Sequence, residues 1–192
     1  SQHPTLADLV RSVYARRSGW DEKRIELRTS QVLQGASRLR EDLRGWLSSA
    51  VRPNRRFLDL GCGAGMLLAA AAANGCKGVG VDVSMTWHVV AKRLIAEAGG
   101  EPVLAAALGE FLPLPDQAVD AVVSLDVIEH VGDPARYLCE IDRVTKPGGG
   151  VALSTPNRFS LTPEPHVFVC GVGWLPQPWQ APFVRWRSGK SY

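Results

Sequence analysis

Three glycines in one short loop, followed by an acid, are the residues of this 192-residue chain best suited to ligand chemistry. Gly61, Gly63 and Gly65 follow the short apolar stretch 57–60 and precede an alanine-rich run. Glycine permits a tight turn and lets backbone come close to a ligand. Asp82 lies 21 residues after Gly61, at the end of a second apolar stretch. One carboxylate there can hold both hydroxyls of a ribose, so the two features predict a nucleoside-binding half-site.

The spacing within the loop argues against two common nucleotide sites. A dinucleotide-binding loop has its third glycine five residues after the first, and Met66 occupies that position here. No GxxxxGKS or GxxxxGKT sequence occurs, so hydrolysis of ATP or GTP is not indicated. The four cysteines form no CxxC pair, so neither a zinc site nor a redox pair is predicted, and we expect no metal. Scattered cysteines are typical of a reducing, cytoplasmic location.

Strand and helix patterns alternate around the glycine loop. Short apolar stretches predict five strands at 57–60, 79–83, 103–107, 119–125 and 151–154. Longer runs between them predict helices at 66–73, 84–98 and 134–145. Such alternation indicates an α/β, Rossmann-like, doubly wound and mostly parallel sheet, with its ligand at the carboxyl ends of the strands.

The segments on either side of this core, which we place at 53–157, have a different composition. Residues 1–52 predict an N-terminal helical segment, with one helix that has Thr5 as its N-cap and another from about Asp21 to Ala50. Residues 158–192 are rich in Pro and Trp, and prolines at this density argue against a regular sheet or a long uninterrupted helix.

Charge is distributed unevenly between these three segments. The chain carries +3 overall, but 1–56 carries +6, 57–157 carries −6 and 158–192 carries +3. The basic ends either meet an anionic partner, such as nucleic acid, lipid headgroups or a phosphorylated substrate, or pack on the acidic core and face solvent. No apolar run approaches the roughly 20 residues that a membrane span needs, which leaves only peripheral membrane contact open.

Five successive motifs resemble those of class I S-adenosylmethionine-dependent methyltransferases, most closely the branch around the ubiquinone-biosynthesis O-methyltransferases. They are FLDLGCGAG (57–65), GVDVS (80–84), LPLPDQAVDAVVSLDVIEHV (112–131), EIDRVTKPGGG (140–150) and LSTPN (153–157). The resemblance implies S-adenosyl-L-methionine as cofactor. It also implies in-line transfer of a methyl group to oxygen, nitrogen or carbon of a small-molecule acceptor.

The resemblance assigns roles to the matched positions around the loop. Asp59 and the loop Gly61–Gly65, which includes Cys62 and Gly63, would surround the methionine part of the cofactor. Asp82 would hold the ribose hydroxyls. Asp59 could alternatively serve only to orient the loop.

At the adenine end the sequence departs from the family pattern. Val83 or Met85 would pack on adenine, unless Met85 is plain core. The family usually has an acid in the loop after the third strand, where it meets the adenine amino group, and Leu108 stands there in this chain. Either Glu110 or the backbone of Leu108 would have to replace it.

The mouth of the expected site holds the candidates for catalysis. The resemblance places Asp126 and Val127, at the end of the fourth strand, beside the cofactor. His130 is the leading candidate for a general base because histidine titrates near neutral pH, with Glu129 orienting it or binding a polar substrate. Alternatively, both residues brace the next helix. His166, on a different loop, is the second candidate, whereas His88 is expected on a helix surface.

The tail 158–192 combines Trp174, Trp179 and Trp186 with arginines, as apolar and anionic recognition surfaces do. It is a substrate lid, a membrane-interface segment or a loop that packs its tryptophans in a core. The family's sheet normally continues with another helix and two more strands of seven, which this tail cannot supply. We therefore expect a C-terminally truncated domain whose exposed sheet edge favours homo-oligomers.

Three classes of function compete. The first is a cytoplasmic enzyme that methylates a small molecule and has no nucleic-acid partner. The second is an RNA or protein methyltransferase that docks its target on the basic N-terminal helices. The third is a non-catalytic cofactor-binding or assembly module. An NAD-linked enzyme is disfavoured by Met66 and by the later motifs.

Overall fold

The computed structural model describes residues 4–17, 19–44, 48, 50–157 and 169–189, without the side chains of 36–44. The chain divides into two compact units, Ser1–Ser154 and Thr155–Tyr192.

Two helices begin the first unit. Helix α1, Leu6–Ala15, starts at the predicted N-cap Thr5, whose hydroxyl accepts a hydrogen bond from the Asp8 N–H at 3.2 Å. Asp8 returns the contact by accepting from the Thr5 N–H at 2.9 Å, which completes a capping box. Helix α2, Glu22–Arg44, starts where the second predicted helix starts.

Five strands form one parallel sheet, as the sequence predicts. They are β1 Arg56–Leu60, β2 Lys77–Asp82, β3 Val103–Ala106, β4 Val119–Leu125 and β5 Thr145–Ser154. Their order is β3-β2-β1-β4-β5, and every adjacent pair is parallel. The chain therefore builds outward from β1 in one direction and from β4 in the other. The switch point between β1 and β4 is where a doubly wound sheet binds its ligand.

Helices cover both faces of the sheet. Successive strand residues point to opposite faces, so Phe57 joins the core under α3, Met66–Ala72, and α4, Met85–Glu97. Its neighbour Leu58 joins the opposite core, under α5, Pro134–Val144. The fold is thus the predicted Rossmann-like arrangement, with five strands among the described residues where seven are usual.

Strand β5 is longer than its predicted range of 151–154. It begins at Thr145, which pairs with Val119, whereas Ala121 pairs with Gly150, so β5 has extra residues within 146–149 at this register shift. Val151 and Leu153 are exposed on this edge strand. No helix of the described residues is both long and apolar enough to cross a membrane.

The second unit contains a short 3-10 helix, Val172–Trp174, and helix α6, Gln177–Ser188. The proline count did not predict this 12-residue helix, which has Pro178 in its first turn and Pro182 in its interior. Val172 and Val184 pack in a small core with Val169. Trp174, Trp179 and Trp186 are exposed, so they do not belong to the core of this unit.

Candidate active site

The glycine loop begins directly after β1 and is tied to the end of β2. The N–H groups of Gly61 and Cys62 donate to the Val81 carbonyl, at 2.7 and 3.1 Å. Gly61, Gly63 and Gly65 have φ angles of 82°, 47° and 75°, in the region that favours glycine. The loop is therefore a fixed turn at the switch point of the sheet.

The three glycines serve different purposes. A Cβ built on Gly61 would lie 2.2 Å from Val127 Cγ2, and one on Gly65 would lie 2.8 Å from Ala91 Cβ. Both glycines are therefore required by packing. A Cβ on Gly63 would meet no other described atom within 4 Å. Gly63 thus presents its backbone to open space, where a ligand could contact it.

Asp82 ends β2 and is held from two sides. Its Oδ2 accepts from the Gly63 N–H and its Oδ1 from the Ser84 N–H, each at 2.8 Å. Each carboxylate oxygen can accept two hydrogen bonds, so one lone pair remains on each. The group is thereby oriented to accept two further donors, as the two adjacent hydroxyls of a ribose would supply.

Asp59 lies beside this carboxylate on β1 and is 5% exposed. Burial, with a further contribution from the negative charge of Asp82, raises the pKa of Asp59 to about 7. Within the described residues no hydrogen bond reaches its carboxyl group. Burial and both aspartates also raise the pKa of the Cys62 thiol, so Cys62 stays protonated and is no nucleophile.

The adenine-end candidates lie after β2, where Met85 begins α4, and on the loop after β3. Val83 and Met85 are 64% and 71% exposed, so neither is core, and Leu108 is 54% exposed. Glu110 is buried, and its Oε1 accepts from the N–H groups of Gly132 at 2.9 Å and Asp133 at 3.4 Å. Glu110 therefore fastens the loop after β4, and a hydrogen bond from its own backbone N–H, followed by those from Gly132 and Asp133, lowers its pKa.

Asp126 follows β4 in an unusual conformation. Its φ of 55° is in the left-handed region, which a non-glycine residue adopts only under constraint. Its N–H donates to the Ser154 carbonyl and its Oδ1 accepts from the Ser154 hydroxyl, both at 3.0 Å. The ends of β4 and β5 are thus joined at the mouth of the site.

The catalytic candidates follow this turn. Glu129 and His130 lie in a short 3-10 helix, Ile128–His130, and both are exposed. The His130 N–H donates to the Val127 carbonyl at 2.8 Å, and Val127 packs against Gly61. The structure therefore brings these two residues to the same end of the sheet as the glycine loop.

The other histidines behave differently. His166 lies outside the described residues. His88 is only partly exposed, and its Nε2 is buried without a hydrogen-bond partner among the described residues. The expectation of a helix-surface residue is therefore wrong for His88. No cluster of three or more metal-ligating side chains occurs in the described part of the chain.

Arg143 organises the connection between β3 and β4, a role that sequence reasoning missed. Its guanidinium donates to both carboxylate oxygens of Glu140, at 2.7 and 2.8 Å, and to Asp116 Oδ1 at 2.8 Å. It also donates to the carbonyls of Leu114 at 2.8 Å and Leu112 at 3.1 Å. The motif EIDRVTKPGGG contains two of these residues, but not the partners they hold.

The buried Tyr137 ring packs against the loop after β3. Its hydroxyl forms a buried hydrogen bond of 2.7 Å with Ser124, and a Cβ on Gly109 would lie 2.3 Å from its ring. Burial raises the pKa of Tyr137 to about 12. Next to it, the Arg136 guanidinium stacks 3.9 Å from the centre of the Phe111 ring.

A doubly wound parallel sheet, a glycine loop at its switch point and an acid at the end of the next strand define a Rossmann-like, nucleoside-binding domain. More narrowly, the chain belongs to the methyltransferase domain family, which matches residues 58–153. The family resemblance noted in the sequence is therefore confirmed.

Individual relatives agree with this membership. A ubiquinone biosynthesis O-methyltransferase of Dechloromonas aromatica (strain RCB) is 34% identical over 128 residues, 64% of this chain and 53% of that protein. A probable S-adenosylmethionine-dependent methyltransferase of Mycolicibacterium smegmatis is 40% identical over 113 residues, 57% of this chain and 41% of that protein. The chain spans about half the length of such relatives.

Among solved structures, a SAM-dependent methyltransferase from Aquifex aeolicus has the same fold. The TM-score is 0.60 at 20% sequence identity, and the match covers 83% of this chain and 87% of that one. At this identity the likeness concerns the fold alone.

Proposed function

We propose that this chain binds S-adenosyl-L-methionine and transfers its methyl group to a small-molecule acceptor by in-line displacement. The observation that carries the proposal is the Asp82 carboxylate, held by the Gly63 and Ser84 N–H groups with one lone pair left on each oxygen. The family membership and the relatives named as O-methyltransferases support the same reaction.

The strand order suggests how the cofactor would lie. Asp82 on β2 would accept from the ribose hydroxyls, and Gly63 would contact the ligand through its backbone. The methionine part would extend towards β1 and β4, where the buried Asp59 is available to pair with its ammonium group. The base would extend the other way, towards β3, over Val83 and Met85.

When bound, this cofactor supplies a methyl group that its sulfonium makes electrophilic. The chain's own task is to align the acceptor and exclude water. Asp126, Val127 and the 3-10 helix would form the mouth through which the acceptor enters. His130 would take the proton that an oxygen or nitrogen acceptor loses, and Glu129 would orient His130 or bind the acceptor.

Titration calorimetry of the purified chain tests the cofactor assignment. S-adenosylmethionine and S-adenosylhomocysteine should bind at micromolar concentration, and NAD should not bind. Asp82→Ala should lose this binding by about a hundredfold or more, because two hydrogen bonds to a charged group are removed. Asp142→Ala, which removes an exposed carboxylate from α5, should bind like the parent.

Two results would refute the assignment. One is a folded chain that binds none of these ligands, and the other is a chain that prefers NAD. A circular dichroism melt of each variant separates lost binding from lost folding.

We further propose that the chain works in the cytoplasm, with a small molecule as its partner. All four cysteines are free, which is consistent with a reducing compartment. The tail as substrate lid and a homo-oligomer formed through the β5 edge stay predictions, and size-exclusion chromatography with light scattering tests the second.

A further inference from the structure

Leu108 stands where the loop after β3 meets the ribose-binding strand. The preceding residue, Ala107, donates its N–H to the Asp82 carbonyl at 3.3 Å, which fixes the start of this loop beside the end of β2. The Leu108 carbonyl accepts from the Phe111 N–H at 3.1 Å, closing a turn. The Leu108 side chain is 54% exposed, so it is not part of the hydrophobic core.

The charged groups of this turn are engaged elsewhere. Glu110 is the single carboxylate of residues 107–111, and it is buried with Oε1 on the N–H groups of Gly132 and Asp133. The neighbouring Arg136 stacks on Phe111 and donates to the Glu110 carbonyl at 3.0 Å. The turn therefore offers an apolar, solvent-facing side chain where an acceptor side chain could have stood.

The strand order places a nucleobase at this turn. A ribose on Asp82 has the glycine loop of β1 on one side and the end of β3 on the other. If the amino-acid part of the ligand follows the glycine loop, the base extends over Val83 and Met85 towards Leu108. The exocyclic amino group of adenine, at the outer edge of the base, then faces Leu108 and solvent.

We propose that Leu108 lets the cofactor site accept substituents on the adenine amino group. N6-alkylated adenosyl ligands should therefore bind as tightly as the same ligands with an unsubstituted amino group. The proposal rests on the proposed function. A carboxylate at this position would require a donor on N6 and would be left unpaired by a fully alkylated amine. A leucine requires no donor and gains contact with the alkyl groups.

Calorimetry with two product analogues tests the proposal by binding alone. S-adenosylhomocysteine has two N–H donors on N6, whereas its N6,N6-dimethyl derivative has none and keeps the rest of the base edge. The parent chain should bind the two within about threefold. Leu108→Asp should prefer the unmethylated ligand by about tenfold or more, the effect of a hydrogen bond to a charged group.

Leu138→Asp is the matched control, because Leu138 is also an exposed leucine, 47% exposed on α5. It should show the parent's ratio. A parent chain that prefers the unmethylated ligand by more than tenfold would overturn the proposal, as would a Leu108→Asp protein that melts normally with an unchanged ratio. If neither analogue binds the parent chain, the proposed function itself fails. Strong binding of the unmethylated ligand alone refutes only the role of Leu108.

Discussion

Asp59 lies one residue before the end of β1 and Asp82 ends the adjacent strand β2, and the charge of Asp82 adds to burial in raising the pKa of Asp59 to about 7. Of the two, Asp82 is held by backbone donors, and Asp59 has none among the described residues. The pair therefore combines an oriented anion with a buried acid whose protonation changes near neutral pH.

Cofactor affinity should rise with pH through about 7 because of Asp59. Below this pKa the carboxyl is neutral, and above it the anion attracts the positively charged ligand. Binding at pH 6.5 should therefore release a fraction of a proton. Calorimetry in two buffers of different ionisation enthalpy measures that fraction, and Asp59→Asn should abolish it. Equal apparent enthalpies in both buffers for the parent chain would contradict this assignment.

Asp59 should also make the unliganded protein less stable at alkaline pH. The folded-state pKa of about 7 exceeds the ordinary value of 3.8, so the folded state binds more protons between these values and stability falls as pH rises through them. Asp59→Asn should raise the free energy of unfolding at pH 8 by up to about 4 kcal/mol. Urea unfolding at pH 4 and pH 8 checks this, and the gain should be nearly absent at pH 4.

Substitutions of the loop glycines should separate binding from folding. Gly63→Ala has room for its methyl group and carries only the cost of a φ of 47°, about 1 kcal/mol. It should fold but lose cofactor affinity about tenfold or more, because the methyl group occupies the space facing the ligand. Gly61→Ala collides with Val127 and should unfold at clearly lower temperature. Thermal melts and calorimetry of both variants, side by side, distinguish the two roles.

Arg143→Ala should destabilise the first unit by about 1–3 kcal/mol, because the guanidinium holds Glu140, Asp116 and two carbonyls. Lysine at the same position should recover only part of the loss, since it cannot pair with both Glu140 oxygens. Arg93→Ala, which breaks the exposed pair with Glu97, is the control and should cost about 0.5 kcal/mol or less. Equal effects at the two arginines would show that Arg143 is an ordinary surface residue.

The hydrogen bonds between Arg143 and Glu140 also predict a loss of stability in acid. The Arg143 hydrogen bonds hold the pKa of Glu140 at about 2, below its ordinary value of 4.5. Stability from this group is present above pH 4.5 and is lost as pH falls towards 2. In Arg143→Ala most of this acid dependence should be lost, and only the part due to the Leu112 N–H that donates to Glu140 should remain. Urea unfolding at pH 5 and pH 3 measures the difference.

The fold and the placement of the glycine loop beside Asp82 were predictable because their signals are local. Short apolar stretches in the sequence predict the strands. Asp82 ends the strand that follows the glycine loop, 21 residues after Gly61. The capping box at Thr5 is likewise read within four residues.

The remaining features depend on partners far along the chain. Glu110 matches an expected adenine contact in sequence, but its carboxylate meets Gly132 and Asp133 instead. The protonation of Asp59 depends on burial and on Asp82, and the left-handed turn at Asp126 depends on Ser154. His88 was predicted to lie on the surface of α4, but its Nε2 is buried. Helix spacing alone does not say which turns of a helix are buried by neighbouring elements.

The connection 107–118 contains no helix, and side chains of α5 and the turn before it hold it at several points. Arg143 donates hydrogen bonds to carbonyl groups in the second half of this connection. Arg136 donates to the Glu110 carbonyl, and the Gly132 N–H donates to the Glu110 carboxylate. The conformation of this connection is therefore determined mainly by contacts with α5 and the turn before it, not by regular secondary structure of its own. Leu108 lies before these anchors, and its exposed side chain does not hold the connection in place. A substitution there should therefore cost the sheet little, so ligand preference can change in this protein without loss of stability.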